Sequence, residues 1–216
     1  ACSFSGFDTI DMCRNTIKNT AGQVFTLPKP VTNFVIESNV FYNNITKGQY
    51  VYTRRIMGAA DIKNLDIRNN TVYFNGEFST NQEFISAGIV DKLTNCNNIY
   101  INHLANAHAV FVLTGLKEYI SYNNLYASAF WDNKPEERFV KFKILDIPQI
   151  EGGAEDGYLD FSFETRKLSE YQSRGYETNS VAVSATDKVL NADNGGDYKL
   201  LASLKDTRQY GLYVRV

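Results

Sequence analysis

Long apolar runs are missing from this sequence: none approaches the roughly 20 residues that a membrane-crossing helix needs. Cysteine is scarce. Cys2, Cys13 and Cys96 make an odd count, with no CxxC spacing and no histidine at ligand distance, which excludes a disulfide scaffold and a zinc knuckle. At least one thiol is therefore unpaired, and small buried hydrophobes are the expected use. A lipid-bearing Cys2 is opposed by Ala1 ahead of it and by ACSFSGF, which reads as a strand. Basic residues are not in excess either. Lys and Arg number 22 against 24 Asp and Glu, a net charge of -2, so the basic stripe that phosphate neutralisation requires is lacking and nucleic acid is not an expected partner. Histidine is limited to His103 and His108, and no two aspartates are adjacent.

What the chain does have is β-forming sequence. At 44% hydrophobic and 13% aromatic residues, 216 residues suffice for one globular core. Val, Ile, Phe and Tyr alternate with Asn, Thr, Ser and charged residues in NFVIESNVFY, QYVYTRRI, LDIRNNTVYF, NIYIN, AVFVLTG, RFVKFKILDI, YLDFSFE and VAVSA. Helical spacing is confined to two places: residues 8–19, where Ile10, Cys13 and Ile17 would share a face, and a turn at 167–173. The expectation is an all-β chain with one or two short helices.

The strands also repeat. Placing Asn33 on Asn64 pairs Ile36 with Ile67, Asn39 with Asn70 and Tyr42 with Tyr73; Asn98 and then Glu118 continue the slot of Asn33 and Asn64. Steps of roughly 20 to 34 residues suit a solenoid coil of three short strands whose corner loops vary. In such a coil Ile36 and Ile67 stack inward, and Asn39 and Asn70 form an amide ladder at a bend, where Asn tolerates left-handed angles and satisfies turn amides. A jelly-roll sandwich would explain the many short strands but not this recurrence.

With its N-x-[IVL]-x-[IV]-x-x-N-x-[FV] cadence over roughly residues 1–130, the chain resembles the right-handed single-stranded parallel β-helix of the pectin-lyase-like superfamily. It looks most like the uncharacterised secreted or surface β-helix proteins of gut Bacteroidetes. NADNGGDYKLLASL (191–204) is similar to a segment that often closes those helices, without its usual tryptophan turn. The resemblance implies β-helix coils over 1–133 and irregular last coils, or an antiparallel cap of the same domain, over 134–216. It implies a secreted or bacterial cell-surface location and an extended polysaccharide, bound and in some members cleaved, as partner. The alternative is a structural or adhesive module, a surface stalk or a phage-tail-like spike. Since CSFSGF shows no amphipathic cap before it, the expectation is also that residues 1–216 belong to a longer polypeptide.

The chemistry is less legible. The superfamily's hydrolases show adjacent aspartates with Gly-His-Gly and Arg-x-Lys, and its calcium-dependent lyases show Arg-x-Pro-x-x-Arg; neither is present. If the chain is an enzyme, a polysaccharide lyase using a Lys and Arg pair fits better than a glycoside hydrolase, and Lys47, Arg54 and Arg55 are the candidates. Tyr50 and Tyr52 in QYVYTRR and Trp131 in FWDNKPEERF are candidate sugar platforms, against the plainer readings of a solvated face and of cap packing. No metal site is expected from the histidines. Calcium is conceivable at Asp61 with Asp66, or at Glu151 with Glu155 and Asp156, where turn solvation is the simpler account. Inserts after Asn44 and Asn75 should enlarge one corner of successive coils and wall a groove.

Overall fold

Alternating apolar and polar residues make VTNFVIE and IKNLDIR strands, and the two pair in parallel with Asn33 opposite Asn64 and Ile36 opposite Ile67. That register is the unit from which the whole molecule is stacked. The structure is a computed structural model that describes residues 2–18, 20, 23–42, 55–74, 83–102, 108–128, 139, 142–147, 156–163 and 165–184. It is a parallel β-solenoid with three faces. The first face holds β1 (Cys2–Ser3), β4 (Phe25–Leu27), β7 (Arg55–Ala59), the early parts of β10 (Glu83–Cys96) and β12 (His108–Tyr122), and β14 (Phe142–Asp146). The second holds β2 (Thr9–Cys13), β5 (Val31–Glu37), β8 (Ile62–Arg68) and the late parts of β10 and β12. The third holds β3 (Thr16–Lys18), β6 (Val40–Tyr42), β9 (Thr71–Phe74), β11 (Ile99–Asn102), β13 (Leu125–Ser128) and β15 (Val181–Ser184). Because β10 pairs with β7 at its start and with β8 at its end, the first two faces are one nine-stranded sheet folded along its length. The third face is a separate six-stranded sheet. Each pass over the three faces is called a tier below.

The core is a set of columns running through the tiers. Met57, Ile85, Phe111 and Leu145 are register partners on the first face, Phe34, Leu65, Leu93 and Tyr119 on the second, and Phe41, Val72, Tyr100 and Tyr126 on the third. All are buried. Each such side chain contributes about 1.5 to 3 kcal/mol relative to exposure. The aliphatic ladder expected at Ile36 and Ile67 is present, and one tier on its register partners become polar, Asn95 and Ser121.

The corner from second to third face is built the same way every time. Arg14, Ser38, Asn69, Asn97, Asn123 and Asn179 have positive φ, and the next residue is Asn15, Asn39, Asn70, Asn98, Asn124 or Ser180. The left-handed residue makes the bend, and the amide after it spans tiers. Asn39 N–H donates to Asn70 Oδ1 and Asn70 N–H to Asn98 Oδ1, both at 2.9 Å. In the other direction Asn39 Nδ2 donates to Met12 O at 2.7 Å, Asn70 Nδ2 to Ile36 O at 2.8 Å and Asn98 Nδ2 to Ile67 O at 2.9 Å. Backbone groups that a corner would leave unpaired in the interior are thereby satisfied. The expected ladder exists, although its asparagines are not themselves the left-handed residues.

Three expectations are corrected. The helix expected over 8–19 is not found in its described residues, 8–18: they form β2 and β3 with the Arg14–Asn15 corner between them. The helix-like spacing of Ile10 and Ile17 arises because a two-residue bend interrupts the strand period. Asn98 does not continue the slot of Asn33 and Asn64; Lys92 pairs with Asn64 there, and Glu118 follows as expected. Of YLDFSFE the described residues, 158–163, are not a ladder strand. They cross the end of the second face with Leu159 N–H donating to Leu116 O at 2.8 Å, and Leu159, Phe161 and Phe163 lean on the core in the alternation that the sequence displays. The helix expected near 167–173 is α1 (Leu168–Ser173), which buries Leu168 and Tyr171. In this last tier β14 and β15 extend the first and third faces while 156–163 and α1 stand where a second-face strand would be, so the final coil is irregular.

Candidate functional site

Outward residues of the second face form a grid because every strand there keeps its register. One column reads Thr9, Asn33, Asn64, Lys92, Glu118; the next Asp11, Val35, Asp66, Thr94, Ile120; the last Cys13, Glu37, Arg68, Cys96, Tyr122. The first column borders the corner between the first and second faces, and at that corner lies an open groove of about 360 Å³. Successive tiers contribute Thr32, then Asp61 and Lys63, then Asp91, then Lys117. With strands about 4.8 Å apart, three steps between tiers span roughly 14 Å along the solenoid axis.

Each polar group in this strip has a defined setting. Asp61 turns back over the corner so that its Oδ1 accepts Ile89 N–H at 2.8 Å, and a side chain on Gly88 would collide with that carboxylate, which accounts for glycine at 88. Lys117 Nζ bonds Asp91 Oδ1 at 2.8 Å; that bond and the negative charge raise the ammonium pKa. Lys117 also lies 5.7 Å from the centre of the Tyr158 ring, which puts an aromatic surface beside the last tier of the strip. Alongside, Asn64 Nδ2 donates to Asn33 Oδ1 at 2.9 Å and Lys92 Nζ bonds Glu118 Oε1 at 2.8 Å. Lys63 is exposed. The strip thus offers ammonium, carboxylate and amide groups at tier spacing, with one ring beside them.

Two carboxylates, Glu177 and Asp66, have raised pKa values. Glu177 is fully buried, and desolvation raises its pKa although Ser180, Tyr119, Asn124 and Tyr126 all donate to it. Burial also pushes the Tyr100, Tyr119 and Tyr126 hydroxyls well up. This network closes the core beneath the last tier, and its Glu177, Tyr100 and Tyr126 side chains are fully buried among the described residues. Asp66 lies on the outer grid with Arg68 and Glu37, and burial again is the main cause of its raised pKa.

Of the residues expected from sequence, Lys47, Tyr50, Tyr52, Arg54, Trp131, His103, Glu151 and Glu155 lie outside the described residues, as does 191–204. Arg55 opens β7 on the first face and is exposed; its guanidinium lies over Gly58 and donates to Ser86 Oγ at 3.2 Å. Asp61 and Asp66 do not form the calcium pair considered above, since Asp61 caps the corner and Asp66 pairs with Arg68 on the outer grid. No group of three or more His, Cys, Asp or Glu able to hold a metal occurs among the described residues. The inserts 43–54 and 75–82 both join the third face to the first, so they do fall at the same corner of successive tiers. Sequence reasoning missed Lys63, Asp91, Lys117 and Tyr158. The sequence signal for Lys63, Asp91 and Lys117 is a step of 28 and then 26 residues, visible once the tiers are aligned.

Fold and strip together define a parallel β-solenoid with a polar groove along one corner. Comparison with protein-family models, with curated proteins and with solved structures finds no match.

Proposed function

We propose that this chain binds an extended glycan along the corner between its first and second faces, as a carbohydrate-associated protein of the secreted or cell-surface kind. The observation that carries the reading is the strip of Asp61, Lys63, Asp91 and Lys117, drawn from consecutive tiers into one groove. A linear polymer repeats its hydroxyls along its length, and a solenoid repeats its side chains along its axis. Roughly 14 Å accommodates a short run of sugar units, each meeting the groups of about one tier. Binding is favoured over cleavage: among the described residues the carboxylates whose pKa is raised, as a general acid requires, are enclosed at Glu177 or paired on the outer grid at Asp66, and neither lines the groove. The resemblance to pectin-lyase-like β-helices supports the same class of partner.

Affinity electrophoresis against acidic and neutral polysaccharides tests this, with unsaturated-uronate absorbance and new reducing ends followed in parallel. Retardation by at least one polysaccharide, weakened by Lys63→Ala with Lys117→Ala, is the expected result. Absence of retardation across the panel, or retardation indifferent to the double variant, refutes the site. A second reading, a rod-like structural module, draws support from the unbroken register in which successive tiers stack.

A further inference from the structure

Register turns the groove into an ordered row of charges. Lys92 lies opposite Asn64 on one side and Glu118 on the other, so the residues one position earlier, Lys63, Asp91 and Lys117, form a single outward column. From tier to tier it reads cation, anion, cation. Its two lysines are two strand steps apart, about 10 Å between backbone positions, and the aspartate stands midway. Asp61 adds a second carboxylate at the corner edge of the Lys63 tier, while Lys92 and Glu118 pair with each other in the neighbouring column.

The members of the column are not equally engaged. Lys117 Nζ is tied to Asp91 Oδ1, but an ammonium has three N–H donors and keeps others for a ligand. Lys63 is exposed and takes part in no ion pair among the described residues, although Asp91 stands beside it in register. Asp61 spends Oδ1 on Ile89 N–H, which holds that carboxylate at the corner. A chain laid along the column therefore meets an uncommitted ammonium, then a carboxylate, then an ammonium shared with that carboxylate.

We propose that the groove selects a glycan in which acidic and uncharged sugars alternate, with acidic units at Lys63 and Lys117 and an uncharged, hydroxyl-bearing unit at Asp91. The inference rests on the reading of the groove as a glycan site that takes about one sugar per tier. A carboxylate on every sugar would set like charge against Asp91, which offsets the gain at the two ammonium groups. A neutral chain gives Asp91 hydroxyl donors but leaves Lys63 without an anion. Alternation with a period of two tiers meets all three side chains with the chemistry each requires.

Three probes of equal length separate these cases: a hexasaccharide alternating glucuronate with N-acetylglucosamine, a hexamer of galacturonate, and cellohexaose. Isothermal titration against the 216-residue chain at low ionic strength should rank them alternating, then neutral, then all-acidic. An exposed ion pair contributes up to about fivefold in affinity, so Lys63→Ala should weaken the alternating probe by up to about that factor and cellohexaose by less. Asp91→Asn keeps the shape and removes the like charge; it should raise the affinity for the galacturonate hexamer. Circular dichroism confirms that both variants fold. Alternating and all-acidic probes that bind equally, a neutral probe that binds tightest, or an Asp91→Asn variant that gains nothing toward galacturonate overturns the alternation and leaves a glycan groove in place. If no probe binds, the alternation also falls; if in addition no polysaccharide retards the chain, the glycan reading falls with it.

Discussion

Replacing Asn70 with alanine measures how much the corner ladder contributes. Asn70 is fully buried, and its amide serves the tiers on both sides: Oδ1 accepts Asn39 N–H at 2.9 Å and Nδ2 donates to Ile36 O at 2.8 Å. Alanine leaves that donor and that acceptor unmatched in the interior, at roughly 1 to 3 kcal/mol each, for a loss of about 4 kcal/mol. Against a typical domain stability of about 5 to 15 kcal/mol the effect is large. The control is Asn64→Ala, which removes a bond of similar length, Asn64 Nδ2 to Asn33 Oδ1, from the outer grid, where water replaces the partner; its cost should stay within about 0.5 kcal/mol. Urea unfolding followed by far-UV circular dichroism reads both, with equal m values confirming that unfolded states are comparable. If the two variants lose stability to within about 0.5 kcal/mol of each other, buried corner satisfaction is not what holds the tiers.

Other outcomes follow from the buried carboxyl and the thiols. Because the pKa of Glu177 is raised in the folded protein, the folded state keeps a proton that the unfolded chain has released, so its contribution is fully present below about pH 4.5 and is lost as pH rises through the folded value. Unfolding free energy should therefore fall with rising pH across that window in the parent, and the part due to this group should vanish in Glu177→Gln; an unchanged slope refutes the assignment. Tyr100, Tyr119 and Tyr126 stay protonated throughout, since burial raises them all. With an aromatic disulfide reagent, Cys2 and Cys13 should react at once and Cys96 only on unfolding, because Cys96 is buried and its pKa is pushed up by desolvation. Rapid labelling of Cys96 in the native protein would contradict the packing of the outer grid around it.

The tier register was readable where a residue type recurs at a position that only one role can fill. Ile36 and Ile67, or Tyr42 and Tyr73, are such pairs, and the tyrosines stack at 4.9 Å. Asparagine is ambiguous because it occupies two columns, the outer one of Asn33 and Asn64 and the inner one of Asn39, Asn70, Asn98 and Asn124, and amide identity alone does not separate them. The distinguishing mark is the residue before: Asn69, Asn97 and Asn123 take the left-handed bend, so paired asparagines flag the inner column. The groove had no comparable mark. Asp61, Lys63, Asp91 and Lys117 become neighbours only when chain segments 28 and then 26 residues apart are laid side by side, and charged residues at strand ends are ordinarily solvated.

The three corners differ in how much length they tolerate. Second to third face always takes two residues, 14–15, 38–39, 69–70, 97–98 and 123–124, fixed by one left-handed bend and one amide. First to second face shortens from 28–30 to 60–61 and then to nothing within β10 and β12. Up to the last tier, the connections 43–54, 75–82, 103–107 and 129–141 all fall between third and first face. Insertion and deletion can therefore proceed at one edge of the prism while the polar strip at another keeps its spacing. Loop length and groove chemistry are free to diverge along separate evolutionary paths on one unchanged scaffold.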